Sequence, residues 1–443
     1  MRQKLQVLLD KNHIRQTLLN TVFALFLLSL LYKLIQQFLA DYDFQTWQIS
    51  EFLVNYQGGF VRRGLPGEVL LFLVKNFNIP IQWTIKVISL VCLLGVSTFF
   101  VKAFLKKGYS LYILPLCFFL GNGLFTNWWI RKDYLFFCFF IPVLWIYSKG
   151  NLSAALKFIL INILAVLIIL SHEVFAFFAL PILFLLLFNE YKNKGLLSSL
   201  VISFLFLLPG ILAFLLTLRY SGSPETAHAI WTSGGEFFSR EFAERYNNSI
   251  DALAWSVSST LMCHLIHNFL YADQGIFSSV VWVITFPVIY YIATNALLAF
   301  RKTENIFTNE DRTVLSSVLI FQLLCLTPLL TVLSCDYSRV IFYWIASSFA
   351  VFLLVPAAKI KKIFPAGFTR FVERFNDLLT TILRPSKTTL FFLMLIIGVS
   401  DWKFMVEWTY KSSMLYNVLF IISQPFIWLK DLLFYLFNLP VCS

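Results

Sequence analysis

Charged residues are scarce in this chain of 443 residues: Asp, Glu, Lys and Arg together make up 13% of it. A soluble globular protein carries about 25% charged residues, so this chain lacks the polar side chains needed to cover a water-facing surface. Hydrophobic residues account for 59% of the sequence. They form long runs, such as 18–38, 197–218 and 280–300. Each run is long enough to cross a hydrocarbon core of about 30 Å.

Patterns typical of metal or disulfide chemistry are also missing. The seven cysteines include no CxxC pair, so the sequence shows neither a disulfide framework nor a zinc-binding spacing. A pairing of Cys263 with Cys335 stays open. His264 and His267, with Asp273, form only a weak metal-binding pattern. We therefore predict no metal site and no cofactor, while leaving a divalent cation open. Strand-like alternation is absent as well, which argues against an outer-membrane barrel.

The apolar runs predict an all-α integral membrane protein with about 10–12 transmembrane helices and interfacial amphipathic helices in its external loops. Spans of this length are helical because every backbone polar group in lipid must bond internally. No repeat or linker divides the chain, so we expect residues 1–443 to form one membrane domain. The predicted spans are 18–39, 81–104, 111–125, 134–148, 156–170, 174–188, 198–218, 276–300, 313–334, 340–358, 388–400 and 414–438.

The distribution of charge orients these spans. Most of the 35 Lys and Arg residues fall in segments that lie inside if the N-terminus is cytoplasmic, as the positive-inside rule predicts. The basic segment 359–387 is then explained by anionic lipid headgroups, and we expect no nucleic-acid binding despite the net charge of +12. Most Asp and Glu residues fall on the external side, which suggests that chemistry occurs there.

Two external segments, 40–80 and 219–275, are long enough to carry structure of their own. Residues 44–56 place apolar side chains near helical spacing, which predicts an amphipathic helix lying in the membrane interface. The second segment opens with a turn signal at 221–224. It continues with a helical pattern that contains Phe238, Phe242 and Tyr246.

The first external segment contains a glycine-rich string with two adjacent arginines. Gly58 and Gly59 precede Arg62 and Arg63. Glycines let backbone N–H groups approach an anion closely, and guanidinium groups bind phosphate oxygens bidentately. We predict phosphate or pyrophosphate binding here. The alternative is a surface turn whose arginines contact lipid headgroups.

Asp41 and Asp43 directly follow the first predicted span. A carboxylate at the membrane surface could remove a proton from a sugar hydroxyl or position a metal ion. We predict a catalytic role for this pair. Simple solvation of a helix end is the alternative.

His172 and Glu173 lie between two short apolar runs, 156–170 and 174–188. Ionisable groups at membrane depth are costly and are therefore candidates for function. If the runs are half-length helices, His172 and Glu173 line a cavity and are catalytic, with His172 as a proton shuttle. If the runs are two full spans, the pair is exposed in a tight turn.

Two further external edges carry charges of both signs. Arg131, Lys132 and Asp133 follow one another, and Asp336 lies three residues before Arg339. Arginines outside go against the topological bias, so we predict that these residues bind an anionic substrate. Local ion pairs are the alternative, and the spacing of Asp336 and Arg339 suits a pair on one helical turn.

These features resemble the architecture of C-type glycosyltransferases, which use polyprenyl-phosphate-linked sugars and carry an acid in the first external loop. Asp41 and Asp43 match that position. The strings at 58–65, 172–173 and 336–339 are similar to those of bacterial capsule and O-antigen membrane proteins considered to be Wzy-type polymerases.

The resemblance implies a glycosyltransferase or polymerase of the bacterial inner membrane, acting on polyprenyl-(di)phosphate-linked sugars at the external face. Arginines would hold the donor phosphate, and a carboxylate or His172 would take the proton of the acceptor hydroxyl. Its partners would be lipid-linked glycans, membrane lipids and other polysaccharide-assembly proteins. Two other hypotheses remain: a lipid-linked oligosaccharide flippase or other transporter, and a non-catalytic assembly partner.

Overall fold

The computed structural model describes residues 2–43, 46–126, 128–234, 248–255, 258, 261–262, 275–301, 306–334, 336–399 and 406–436. These parts of the chain are helical and contain no strand, which confirms an all-α membrane protein. The helices are α1 Arg2–Leu39, α2 Trp47–Leu53, α3 Gly64–Phe77, α4 Ile81–Lys107, α5 Asn122–Phe125, α6 Asp133–Ser148, α7 Ala154–Ser171, α8 Val174–Tyr191, α9 Leu196–Arg219, α10 Pro224–Ser233, α11 Gly275–Ala299, α12 Asn309–Pro328, α13 Tyr337–Leu354, α14 Ala357–Ile363, α15 Ala366–Leu383, α16 Lys387–Ile396, α17 Val406–Lys411 and α18 Met414–Leu436.

Within the described ranges, eight helices are long and apolar enough to cross a membrane. They are α1 from Gln16, α4, α7, α8, α9, α11 from Trp282, α12 with its π-helical extension to Leu333, and α13. The pair α15 and α16 meets the same test together but bends by 89°. Shorter apolar helices are α6 and the first part of α18. The chain is thus a multi-pass membrane protein, and α7 and α8 are two full spans rather than half-length helices.

The segment 111–125, predicted as a span, is not a membrane-spanning helix. It consists of turns followed by the four-residue helix α5. Most of its side chains are buried, and irregular backbone is tolerated at membrane depth only where protein surrounds it. This segment leads from the end of α4, where Tyr109 packs on Phe104, to Trp129, which packs on Phe38 near the end of α1.

The helix predicted in the interface at residues 44–56 is instead packed inside the protein. The structure describes α2 as a seven-residue helix in which all five residues from Ile49 to Leu53 are buried. It lies against α3, where Gly67 packs directly on the Val54 carbonyl. In this loop α3 is the helix with exposed apolar side chains, at Val69, Phe72 and Phe77. The carboxylate of Glu51 is therefore buried in the interior of the protein.

An aromatic core holds the beginnings of α6, α8 and α13 together. Phe137 of α6 packs on Phe178 of α8 and on Phe342 of α13. Phe136 contacts both Tyr343 and the imidazole of His172. Aromatic contacts of this kind add to the burial of apolar area. The core thus sets three helix ends side by side at one end of the bundle, which we call the Asp133 end.

Candidate active site

Three helices begin at the Asp133 end with an acidic residue. Asp133 is the first residue of α6, while Glu173 and Asp336 immediately precede α8 and α13. The positive end of a helix dipole stabilises a carboxylate in this position. The packing of the three helices therefore gathers three carboxylates from distant parts of the sequence into one cluster.

Arg339 joins two of these carboxylates. Its Nε donates to Asp133 Oδ2 at 2.9 Å and its Nη2 donates to Oδ1 at 2.6 Å. Its Nη1 donates to Asp336 at 3.0 Å, so the local pair that their spacing allowed as an alternative to substrate binding is formed. Tyr343 donates its hydroxyl to Asp133 at 2.5 Å. Because bidentate charged pairs are strong, Arg339 is firmly held.

Arg63 forms a similar bidentate pair with Glu173. Its Nε lies 3.0 and 3.1 Å from the two carboxylate oxygens, and its Nη2 donates at 2.5 Å. Burial alone would raise the pKa of Glu173, but the charge and hydrogen bonds of Arg63 hold that pKa well below its usual range. Glu173 is therefore an ionised partner of Arg63 and a poor proton acceptor. The predicted catalytic role of Glu173 gains no support from this geometry.

His172 is buried between two carboxylates. Burial, together with Arg63 and Arg339, lowers the pKa of His172 well below its usual value despite the nearby Glu173, so the ring is neutral. Its Nδ1 accepts a hydrogen bond from the Val174 N–H at 3.3 Å. In a neutral ring the proton is then on Nε2, which lies 3.6 Å from Glu51 Oε1.

Glu51 is the residue of the cluster that the sequence analysis did not select. Its side chain is 3% exposed, and neither carboxylate oxygen has a hydrogen-bond partner among the described residues. Arg339, His172 and Arg131 point nitrogen atoms at it from 3.5, 3.6 and 3.8 Å. Charge-assisted hydrogen bonds are shorter, about 2.7–2.9 Å. Glu51 is thus surrounded by donors but bonded to none of them.

One signal in the sequence could have found Glu51. It is an acid between Ile49, Phe52 and Leu53, within the segment predicted to be an interfacial helix. A short helix that is buried on all sides leaves no polar face, so a carboxylate in it must meet buried cations.

Lys132 is a buried member of the cluster. It is fully buried, and its Nζ donates to the backbone carbonyls of Arg63 at 3.2 Å and Ser171 at 3.3 Å. Burial lowers the pKa of Lys132 to about 7. Although Lys132 was predicted to bind substrate, in this structure it ties the Arg63 turn to the end of α7.

Arg62 and Arg131 are the loosely held cations. Arg62 lies 3.8 Å from Glu173, and Arg131 lies 3.8 Å from Glu51 and 4.0 Å from Asp336. Within the part of the chain that the structure describes, the buried Nε atoms of both arginines lack a hydrogen-bond partner. Arg131 also stacks over Trp128, with its guanidinium carbon 4.4 Å from the ring centre. These two groups are free to bind an anion without breaking a tight pair.

The glycines of the turn shape the backbone rather than face the cluster. Gly59 has a φ of 99°, and its N–H donates to the Tyr56 carbonyl, so this amide is not free for an anion. Gly58 lies directly beneath Thr226 of α10. Arg63 itself has a left-handed φ of 65°, a conformation that costs energy in a non-glycine residue. The tight turn is thus bent to place Arg63 on Glu173.

The described contacts of Asp41 and Asp43 lie elsewhere. Asp41 is exposed and interacts with Lys86. The backbone carbonyl of Asp43 accepts from Thr46 before α2. The structure therefore does not bring these predicted catalytic residues into the cluster.

Several predictions fall on residues outside the described ranges: the pairing of Cys263 with Cys335, the pattern of His264, His267 and Asp273, and the helical pattern at Phe238, Phe242 and Tyr246. Among the residues that the structure does describe, no group of three His, Cys, Asp or Glu residues could hold a metal ion.

No family model matches the sequence, and neither a curated protein nor a solved structure matches it significantly. The function of the cluster is therefore inferred from the chemistry of its side chains. At the Asp133 end, five cationic side chains (Arg62, Arg63, Arg131, Lys132 and Arg339) meet four anionic ones (Glu51, Asp133, Glu173 and Asp336) beside a neutral histidine. Such a site can bind an anion and accept a proton close to it.

Proposed function

We propose that this chain is a membrane glycosyltransferase that uses sugars linked to a polyprenyl phosphate or diphosphate. The proposal is carried by the loosely held guanidinium groups of Arg62 and Arg131 beside the buried carboxylate of Glu51, at one end of a membrane bundle. Guanidinium groups suit phosphate oxygens, and fixed cations can stabilise the charge that develops on a phosphate leaving group. A carrier lipid would present its phosphate at this depth.

The proposed base is Glu51, in place of Asp41 and Asp43. Glu51 would take the proton of the acceptor hydroxyl while that oxygen forms a bond to the anomeric carbon of the donor sugar. The bond from that carbon to the phosphate oxygen breaks, and its electron pair leaves with the phosphate held by Arg62 and Arg131. The neutral Nε2–H of His172 would orient the acceptor oxygen. Arg63 and Arg339 keep the cluster assembled.

The setting of this reaction follows from the charge distribution. We propose that the N-terminus is cytoplasmic and that the Asp133 end faces the outside of a bacterial inner membrane, where surface polysaccharides such as capsule or O-antigen are assembled. Repeated transfer would make the chain a polymerase of lipid-linked repeat units, working beside other assembly proteins. Lipid substrates would enter sideways between helices.

A flippase or other transporter remains the second hypothesis and a non-catalytic assembly partner the third. A transporter site is expected near the bilayer midplane, between repeats. The cluster instead lies where α6, α8 and α13 begin. Its position at one end of the bundle favours an enzyme.

The test uses a producing strain from which the gene has been removed. Arg62→Ala, Arg131→Ala and Glu51→Gln variants are returned singly, their membrane levels are matched, and the length of surface polysaccharide is measured. We expect short or absent chains from each variant. Arg219→Ala, at an exposed arginine that ends α9, is the matched control and should restore normal chains. Normal chains from all three cluster variants would overturn the enzyme proposal.

A further inference from the structure

Helix α15, at the opposite end of the bundle from Asp133, has its side chains sorted into three faces. Val372, Asn376 and Leu379 are buried, and they recur at the spacing of one helix face. Asn376 accepts a hydrogen bond from the Tyr290 hydroxyl at 2.8 Å and donates to Ser316 at 3.1 Å. This buried polar network fixes the rotation of α15 against α11 and α12.

A second face of α15 is apolar but is not covered by protein. Phe371, Leu378 and Ile382 are 57%, 55% and 65% exposed. At about 100° per residue they point within about 40° of one another, so they form a single stripe beside the buried face. Three large apolar side chains in one stripe would be unfavourable in water.

The charged side chains of α15 lie at different angles from the apolar stripe. At about 100° per residue, the exposed Arg374 and Arg370 lie about 60° and 100° from the centre of the stripe on the side away from the bundle, and Asp377 and Glu373 lie about 120° and 160° from it. Both arginines are therefore closer to the stripe than either carboxylate, although Arg370 and Asp377 lie only about 20° apart. An anionic lipid surface would attract the two arginines and leave the two carboxylates pointing to water.

The direction of α15 agrees with this arrangement. The axis turns by 89° between α15 and α16, and α16 packs against α11 and α18 inside the bundle. A helix at right angles to one that enters the bundle can lie along the membrane surface with its apolar stripe among the acyl chains.

We propose that α15 is a lipid-binding helix that lies in the bilayer interface and recognises anionic lipid through Arg370 and Arg374. Phe371, Leu378 and Ile382 enter the acyl region, and the hydrogen bonds of Asn376 hold the helix to the bundle at a set rotation. This surface lies at the far end from the proposed catalytic cluster and is independent of the reaction there.

The first test measures the depth of neighbouring residues. A fluorescent NBD group is attached to Leu378→Cys or Asp377→Cys in the full chain, from which the native cysteines have been replaced, in vesicles of phosphatidylcholine with phosphatidylglycerol. We expect brominated acyl chains to quench the label at position 378 and iodide to quench the label at position 377. The two positions are adjacent, so equal quenching at both by either agent would overturn the proposed orientation.

The second test measures lipid selectivity. Binding of short-chain phosphatidylglycerol to the detergent-solubilised full chain is followed through the label at position 378. We expect the Arg370→Gln/Arg374→Gln variant to bind at least about 10-fold more weakly. Lys192→Gln/Lys194→Gln removes the same charge at the same end of the bundle and should change binding less than about twofold. Equal affinities in the two variants, or no preference over phosphatidylcholine in the parent, would overturn the role of the arginines.

Discussion

Arg339 and Asp133 are 206 residues apart in the sequence, yet their side chains form a bidentate pair with hydrogen bonds of 2.6 and 2.9 Å. The pair joins the beginnings of α13 and α6, and both side chains are largely buried. It therefore fixes two of the three helix ends that build the cluster.

Breaking this pair should be costly to stability. Asp133→Asn would leave the guanidinium of Arg339 buried with a weaker partner, and removal of one partner of a buried pair costs about 3–5 kcal/mol. We expect a lower midpoint of thermal unfolding in detergent and lower membrane levels. Asp377→Asn, an exposed acid on α15, should leave both unchanged. A double variant, Asp133→Leu/Arg339→Met, should recover part of the loss because the buried guanidinium is removed together with Asp133, and Asp336, which also loses Arg339, is partly exposed. Equal loss in both variants would contradict this explanation.

Arg62 and Arg131 should control the affinity for the phosphate-bearing donor. The described carboxylates nearest to each lie 3.8–4.0 Å away, so Ala substitution removes a ligand contact without breaking a tight ion pair. A hydrogen bond to a charged group is worth about 1.5–3 kcal/mol, which corresponds to a loss of roughly 10- to 100-fold in affinity. Binding of a radiolabelled polyprenyl diphosphate sugar to purified protein measures this, with Arg219→Ala as the control expected to bind normally.

Glu51→Gln should abolish sugar transfer to the acceptor, whereas an added nucleophile should restore cleavage of the donor. Loss of a general base reduces the rate by about 10²–10⁴-fold. Azide is a nucleophile that needs no proton removed, so it should restore release of the carrier phosphate in Glu51→Gln and yield the glycosyl azide. Glu190→Gln, at an acid paired with Lys359 far along α8, should transfer at the parental rate. If wild-type protein transfers sugar and Glu51→Gln does so equally well, Glu51 is not the base.

The hairpin of α2 and α3 should tolerate no side chain at Gly67. A Cβ there would overlap the Val54 carbonyl, so Gly67→Ala must push α3 away from α2 and displace Glu51. Overpacking of this kind costs about 1–3 kcal/mol, and we expect lower thermal stability and lower transfer. Gly95→Ala in α4 is the matched control because nothing lies within 4 Å of its new methyl group. An unfolding midpoint for Gly67→Ala as high as that of Gly95→Ala would contradict the close packing.

Lys132 should make stability depend on pH. Burial lowers its pKa from 10.5 to about 7, so between these values the folded chain binds fewer protons at this group than the unfolded chain. The contribution of Lys132 to the free energy of unfolding therefore rises with pH across this window. We expect Lys132→Met to reduce the rise in thermal midpoint between pH 7 and pH 9, whereas Lys361→Met, at an exposed lysine of α14, should leave it unchanged.

Much of the architecture could be read from the sequence, because apolar runs of about 20 residues have few alternatives to a membrane helix. Segment 111–125 was the exception. It is as apolar as a span, but its backbone is irregular, which is tolerated because surrounding helices bury it. That burial depends on the tertiary structure. The burial of α2 on all sides was hidden for the same reason.

The candidate site was partly visible in the sequence as well. His172 was selected because ionisable residues at the edges of apolar runs are costly, Arg63 because it lies in a glycine-rich string, and Arg339 because arginines on the external side oppose the topological bias. Their partners could not be assigned, since Arg63 meets Glu173 across 110 residues of sequence. Asp41 and Asp43 were equally conspicuous but lie beyond the cluster.

The sequence by itself determined the helical membrane class and the residues whose charges needed an explanation. Only the tertiary structure decided which cations are locked in tight pairs, which remain loosely held, and that Glu51 lies unbonded among them. The physical reason is that hydropathy is a property of each local segment, whereas the pairing of buried charges depends on how α2, α6, α8 and α13 pack against one another.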